Sequence, residues 1–494
     1  MKKIILFCFL FITHYIFSQT QLGNDIQGVS AGDEFGTSVS LSADGSVLAI
    51  GAPLNDLTGS NGGLVRVYRF NNGTSTWEQE GNDILGESSN DQFGHSVSLS
   101  DDGSILAIGA RFNGANNEGH VRVFTYNTNT TSWEQLGNDI DGTSNGDQSG
   151  HSVSLSSNGS ILAIGSPFHS IDNGRVKVYS YNTNTTAWEQ LGSEIITSSV
   201  VGGRFGYSVN LSTNGHTLAV GAISGGVGGM VEIYTYNTNT QVWEKKGSSI
   251  FGESSGDDSG YSVSLSSNGS TVAIGAPFNN GSGPSSGHVR IYQYNSGLGD
   301  WEQLGSDLDG EYSADDSGVS VSLSSDGSIV AVGARANGDG TPSFAGHVRI
   351  YQYNNTLQVW EQAGIDIDGA SSSFSGSSVS LSSNGSIVAI GGPFIGGSLS
   401  SAGHVQVYGL ANVLSINNPL FQKVNLYPNP SKNEIHIQLN DNILLKKISI
   451  YNQLGQLVKV SRTNITNIHE LSSGLYFVEI NTNQGKSTQK LIIK

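Results

Sequence analysis

One fourteen-residue string, S-V-S-L-S-x-[DN]-G-S-x-[LV]-A-[IV]-G, recurs seven times along this chain, ending at Gly51, Gly109, Gly165, Gly221, Gly275, Gly333 and Gly391. The fourth copy departs most, with Asn210 and His216 in place of serines. Each copy continues into G-x-V-x-[VI]-[YF], as at Gly63 to Tyr68. A Tyr-Asn-rich turn and Trp-Glu follow, so that Trp77, Trp133, Trp188, Trp243, Trp301 and Trp360 occupy one repeat position. A segment of the form L-G-x-D-[IL]-x-G then leads into the next copy through an [FS]-G pair such as Phe93-Gly94. Units repeated this regularly bury their apolar faces against one another, which points to a ring or a solenoid.

Each unit holds four runs of strand character. The first, S-V-S-L-S, alternates small polar with branched residues, as a strand with two different faces does. The second, for example Ile105 to Ile108, is apolar throughout and is expected to be buried on both faces. Between them Asp44-Gly45, Asn158-Gly159 and their equivalents mark tight hairpins. The third run, Val121 to Tyr126, alternates again, and the fourth begins at the tryptophan. Four antiparallel strands per unit of roughly 55 residues, seven times over, predict an all-β, seven-bladed β-propeller. The composition fits: 66 glycines in 494 residues and only 13% charged residues, against a usual ~7% Gly and ~25% charge.

Residues 21–26, Gln-Leu-Gly-Asn-Asp-Ile, read as a fourth-strand segment without its tryptophan, and the seventh copy stops after Tyr408 without a fourth strand. The two halves complete one blade, so the N-terminal strand is expected to close the ring over residues 19–410 and leave no open edge. At this point the sequence resembles a known family. Phe35-Gly36, Phe93-Gly94 and Phe205-Gly206, with the later Gly51-Ala52-Pro53 and Gly275-Ala276-Pro277, resemble the FG-GAP repeat of integrin α-subunit propellers and their bacterial relatives. Members of that family often hold Ca²⁺ in the first hairpin through a run of alternating carboxylates. Here the hairpin reads Ser42-Ala43-Asp44-Gly45-Ser46, and one carboxylate does not supply the six or so oxygens that calcium takes. The expectation is no cofactor and no metal.

The ends of the chain speak of export. Met1-Lys2-Lys3, an apolar stretch from Ile4 to Phe17 and Ser18 read as a signal peptide over residues 1–18, addressed to the Sec machinery. The sole cysteine, Cys8, lies inside it, so the mature chain has neither thiol nor disulfide. After a linker at residues 411–422, glycine thins out and lysine and isoleucine rise. Residues 423–494 carry nine Lys or Arg and four Asp or Glu, so with Lys2 and Lys3 set aside the rest of the mature chain holds about −25 of the net −18. A ring this acidic does not suit nucleic acid or anionic lipid.

Within 423–494, Tyr427-Pro428-Asn429-Pro430, Ile450-Tyr451-Asn452 with Gly455, and Gly474-Leu475-Tyr476-Phe477-Val478 stand in order. Together they closely resemble the type A C-terminal sorting domain of the type IX secretion system of Bacteroidetes. The resemblance implies a small Ig-like β-sandwich that the outer-membrane translocon reads and removes. The cargo then passes through the periplasm and is released or attached to surface lipopolysaccharide.

Internal spacing separates scaffold from variable surface. The [FS]-G glycine lies 15 residues before the second-strand glycine in all seven copies, while the joint between second and third strands runs 12, 10, 9, 8, 12, 13 and 12 residues. That joint and the connection into the next blade share one face, the usual seat of binding on a rigid scaffold. The connections carry Asp33, Asp91, Asp147, Asp257, Asp258, Asp315 and Asp316, and the variable loops carry Arg111 and Arg335. Two readings are open for the aspartates: a carboxylate rim around the ring mouth, or turn caps bonded to their own backbone. His120, His288, His347 and His404 share one position on different blades, so they are spread around the ring and cannot chelate one metal together. H-E-x-x-H and phosphate-loop motifs are absent from the sequence. The sequence thus favours a monomeric, non-enzymatic propeller that binds an extracellular glycan or protein. A carbohydrate-active hydrolase using rim carboxylates and a structural surface protein are the alternatives.

Overall fold

The computed structural model describes residues 19–410 and 424–494, apart from 198, 200, 338–343, 395–400, 440–443, 453–456, 483 and 484. The expected signal peptide, the linker and Gly455 lie outside the described residues. The chain divides into two compact units, Met1–Val413 and Leu414–Lys494.

The first unit contains seven antiparallel sheets, one per repeat, numbered here as blades 1 to 7 from the copy ending at Gly51 to the copy ending at Gly391. In blade 2 the four strands are Phe93–Leu99, Ile105–Ala110, His120–Asn127 and Ser132–Gln135, in that spatial order. A further pair, Ile140–Asp141, returns to the same third strand. The L-G-x-D segment thus interrupts a fourth strand rather than ending it. In blade 7 that outer strand comes from the N-terminus: Thr20–Gln21 and Ile26–Gln27 both pair with His404–Gly409.

Closure is written in hydrogen bonds that run once around the ring. The first-strand serine hydroxyl of each blade donates to the [FS]-G glycine carbonyl of the next, from Ser38 to Gly94 at 2.8 Å through to Ser378 back to Gly36 at 2.8 Å. A second set joins backbone to backbone beside the tight hairpins. Ala43 N–H donates to Asp101, Asp101 to Ser157, Ser157 to Thr213, Thr213 to Ser267, Ser267 to Ser325, Ser325 to Ser383, and Ser383 back to Ala43. Further out, each of the six indole N–H groups donates to a carbonyl of the preceding blade, from Trp77 to Leu22 at 2.9 Å through to Trp360 to Leu304 at 2.8 Å.

The FG-GAP glycines are where adjacent blades press backbone against backbone. A Cβ on Gly51 would lie 2.0 Å from the carbonyl oxygen of Gly94, and one on Gly391 would lie 2.1 Å from that of Gly36. The phenylalanine of the pair is the anchor beside this contact, with Phe35, Phe93 and Phe205 at 1% exposure or less. The hairpin acceptors are fully engaged at home. Asp44 Oδ1 accepts the Ser42 hydroxyl at 2.7 Å and both the N–H and hydroxyl of Ser46 at 2.9 and 2.8 Å.

The second unit pairs a three-stranded sheet, built from Val424–Tyr427, Glu434–Leu439 and Ile465–Asn467, with a four-stranded sheet. Ile435, Ile437, Ile448, Ile450, Val478, Ile480 and Leu491 form the core. Its motif residues are structural ties. Asn429 donates to the Lys490 carbonyl at 2.6 Å and accepts the Ile492 N–H at 2.9 Å. Tyr427 stacks on His436, Pro428 and Pro430 frame Asn429, and Gly474 opens the strand in which Tyr476 donates its hydroxyl to the Ser472 carbonyl.

The inter-blade contact predicts that Gly109→Ala destabilises the ring by about 3 kcal/mol or more, at the upper end of overpacking costs, because its Cβ would lie 2.1 Å from the Gly150 oxygen. Gly73→Ala, whose Cβ meets only the Asn71 side chain, is expected to leave the unfolding free energy from urea titration within ~0.5 kcal/mol of wild type.

Candidate functional site

A cavity of about 760 Å³ opens at the mouth of the ring. Much of its wall comes from one repeat position, the residue after the [FS]-G glycine. Thr37, His95, His151, Tyr207, Tyr261, Val319 and Ser377 occupy that position, and all seven line the cavity. The backbone explains their direction. In blade 2 the strand register slips between Phe93 and Ser96, which leaves Gly94 and His95 as a bulge. Blades 4 and 6 slip at the same point. A bulge re-aims a side chain off the sheet, and Gly94 at φ +89° supplies the left-handed turn. The residue before each pair is also left-handed, from Glu34 at φ 53° to Phe374 at φ 55°.

Four of these side chains form an aromatic arc. Ring centroids lie 5.1 Å apart for His95 and His151, 4.5 Å for His151 and Tyr207, and 5.0 Å for Tyr207 and Tyr261. A second aromatic group closes the far side, where Phe344 stacks on Phe374 at 5.3 Å and Phe374 meets Phe394 at 5.1 Å. Rings separated in this way present faces and edges to whatever enters.

Both histidines are held neutral. His151 Nδ1 lies 3.1 Å from the Tyr207 carbonyl, which only accepts, so Nδ1 carries the proton. Burial, with Arg111 nearby, pushes its imidazolium down to about 3. His95 Nε2 lies 3.2 Å from the Arg111 guanidinium, which only donates, so this nitrogen is an acceptor. Burial, then the charge of Arg111, pushes His95 well below its ordinary range. Burial and the neighbouring Tyr261 raise the Tyr207 phenol.

The expected site residues separate into two groups. Asp33, Asp91, Asp147, Asp257 and Asp315 are at most 5% exposed, so the structure does not bring them together as a rim. Each spends a carboxylate oxygen on its own turn, as Asp91 does with the Ser88 N–H at 2.7 Å and Asp315 with the Tyr312 N–H at 2.7 Å. Asp33 and Asp257 also take the amides of Asn55 and Asn279, and Asp147 takes Arg175 and His169. Arg111, Arg335 and Asp316 do line the cavity, joined by Glu34. Asp258 is outside the lining and interacts electrostatically with Arg204. Burial raises Glu34, Asp258 and Asp316 above the ordinary carboxylate range.

The two arginines are in different states. Arg335 Nε donates to Asp316 Oδ2 at 3.0 Å. Arg111 donates to Gln92 Oε1 at 2.9 Å and to His95, and its guanidinium lies 4.7 Å from the Phe112 ring. Its directed partners are thus neutral, and burial works against its charge.

Length variation in the loops found Arg111 and Arg335 but not the aromatic arc. The missed signal was side-chain variation in a segment of invariant length. One position, between Gly and S-V, changes from Thr to His to Tyr to Val to Ser while its neighbours repeat.

Comparison with known proteins adds the family. Residues 27–68 and 86–124 match the FG-GAP repeat, and residues 425–494 match the secretion system C-terminal sorting domain. The chain thus carries FG-GAP repeats at 27–68 and 86–124 and a C-terminal sorting domain. That tail marks it for type IX export to the cell surface or beyond. Among curated proteins, an ulvan lyase of Nonlabens ulvanivorans is 36% identical over 89 residues, 17% of this chain and 16% of the lyase. The chain therefore matches less than a fifth of that relative's length. Among solved structures, hydrazine synthase of Kuenenia stuttgartiensis is similar over 74% of this chain and 94% of its own, at 15% identity and a TM-score of 0.48.

The neutral histidines of the cavity wall have a thermodynamic consequence. Below pH 6.5 an unfolded His accepts a proton, whereas folded His151 holds off until about 3. The unfolded state binds more protons in that window, so stability is lost as the pH falls through it. The melting temperature is expected to drop between pH 7 and pH 4, and to drop less in His151→Gln. Equal slopes in the two proteins would show that this imidazole is not held neutral.

Proposed function

We propose that the propeller is an extracellular binding module that takes an acidic saccharide in the mouth of its channel. The observation that carries this reading is Arg111, a guanidinium aimed into an aromatic cavity whose directed partners, Gln92 and His95, are both neutral. A ligand carboxylate or sulfate would supply the anion that burial makes valuable to it, in the planar, two-bonded geometry that guanidinium favours. The arc from His95 to Tyr261 and the pair of Phe344 and Phe374 offer stacking faces of the kind sugar rings use, with hydroxyls of Thr37 and Ser377 between them. The volume suits an oligosaccharide segment rather than a protein surface.

A catalytic reading has its own support. Glu34 and Asp316 are carboxyls in the same cavity that burial shifts upward from the ordinary carboxylate value, the direction a general acid needs, and the partial relative is named as a lyase. On that reading the ligand is a polysaccharide substrate.

A panel of uronate-bearing, sulfated and neutral oligosaccharides, presented to the mature chain in an array and then by calorimetry, tests both. Saturable binding of acidic members is expected, weakened about tenfold to a hundredfold, or ~1.4 to 2.8 kcal/mol, in Arg111→Ala, with no change in ligand length over hours. Equal binding of neutral sugars with no effect of Arg111→Ala would overturn the acidic-ligand reading. Shortened products lost in Glu34→Gln or Asp316→Asn would establish the catalytic one.

A further inference from the structure

The histidine shared by four blades gathers a different company in each, and in blade 5 that company is acidic. His288 opens the third strand, opposite Asp309 in the ladder, and is 1% exposed. Neither of its ring nitrogens makes a hydrogen bond. Its Nδ1 lies 3.6 Å from Asp307 Oδ2, 3.9 Å from Glu253 Oε2 and 4.0 Å from Asp309 Oδ1. One donor atom each from Glu253, His288 and Asp307 falls within 4.8 Å of the others. These separations are too long for charge-assisted hydrogen bonds of about 2.8 Å. They are close to the spacing of donors around a shared ion, each about 2.0 to 2.2 Å from it.

The local charge points the same way. Glu253, Asp307 and Asp309 face a single guanidinium, Arg290, whose Nη1 is 3.8 Å from Glu253 and whose Nη2 is spent on the Phe251 carbonyl at 2.6 Å. Three negative groups against one positive leave about −2 around a buried imidazole.

Other blades show how the same niche is filled when a cation is built in. In blade 3 Arg175 replaces the histidine, and its guanidinium bonds Asp147 at 2.7 Å and Glu194 at 3.1 Å. In blade 6 the histidine recurs as His347, 3.5 Å from Asp366, but there Arg349 bonds both carboxylates of the set, Asp366 at 3.2 Å and Glu311. Blade 2 repeats the blade 5 set as Glu87, His120 and Asp139, with His120 Nδ1 at 3.9 Å from Asp139 and Nε2 unbonded.

We propose that Glu253, His288 and Asp307, with Asp309 beside them, form a site for a first-row divalent transition-metal ion, repeated in blade 2 by Glu87, His120 and Asp139. One imidazole with two or three carboxylates suits Zn²⁺ or Mn²⁺ better than Ca²⁺, which takes an all-oxygen shell. The exposed edges of Glu253 and Asp309 leave room for water in the remaining positions. Glu253 lies in the connection from blade 4, whereas His288 and Asp307 belong to blade 5, so the ion ties two blades together and stabilises the ring in proportion to its occupancy. None of these residues lines the central cavity, and the site stands or falls independently of the saccharide reading.

The test is a calorimetric titration of the chelator-stripped mature chain with ZnCl₂, repeated with MnCl₂ by electron paramagnetic resonance. Wild type is expected to take two equivalents and to melt at a higher temperature when loaded. Asp307→Asn is expected to lose one equivalent while melting, stripped, at the temperature of stripped wild type. His120→Ala combined with Asp307→Asn is expected to lose both. Unchanged stoichiometry in Asp307→Asn and in His288→Ala, with either ion, would overturn the proposal.

Discussion

Everything in this ring depends on two glycines meeting. The second-strand glycine of each blade lies against the carbonyl of the [FS]-G glycine of the next, with no room for a Cβ between them. That contact brings the serine hydroxyl beside it within bonding distance of the same carbonyl. It is repeated until Gly391 meets Gly36 and the chain has returned to its start. The FG-GAP signature is therefore a description of a backbone contact: the phenylalanine fills the space behind it, and the glycines permit it. A ring held in this way needs no disulfide and little charge.

The repeat made most of this fold legible before any coordinates. Invariant spacing from Gly36 to Gly51 and its six equivalents reports a rigid element, and the truncated copies at both ends foreshadow the strand pairing of Gln21 with Tyr408. Less legible was the interruption at L-G-x-D. Its two halves, such as Ser132–Gln135 and Ile140–Asp141, return to one partner strand, and only the ladder shows it. The aspartates illustrate a harder limit. Asp257 and Asp258 are adjacent in sequence and carry the same side chain, yet one is sealed into a turn and the other is half-buried near Arg204. Alternation along a turn decides which, and composition carries no trace of it.

The candidate sites share one logic, in which a scaffold position fixed by the ring carries a side chain that is free to vary. At the mouth, the bulge after Gly94 aims His95, and its equivalents aim Tyr207 and Tyr261, into a common space. At the third-strand entrance, the same backbone holds His288, Arg175 or Met230, and the surrounding carboxylates are met by a guanidinium in one blade and by an imidazole in another. Symmetry supplies the geometry and substitution supplies the chemistry. The export tail is separate from both, a small sandwich with its own isoleucine core.

The central claim is that closure is complete, with the seventh blade joined to the first as firmly as any other pair. Native-state hydrogen exchange of the mature chain tests it most directly at the amides of Ala43, Asp101, Ser157, Thr213, Ser267, Ser325 and Ser383, which hand one hydrogen bond around the ring. A closed ring predicts that all seven exchange together, at the free energy of global unfolding. Early exchange of Ser383, whose N–H donates to Ala43 across the seam, with protection retained from Asp101 to Ser267, would show a ring that opens at its seam and contradict the account.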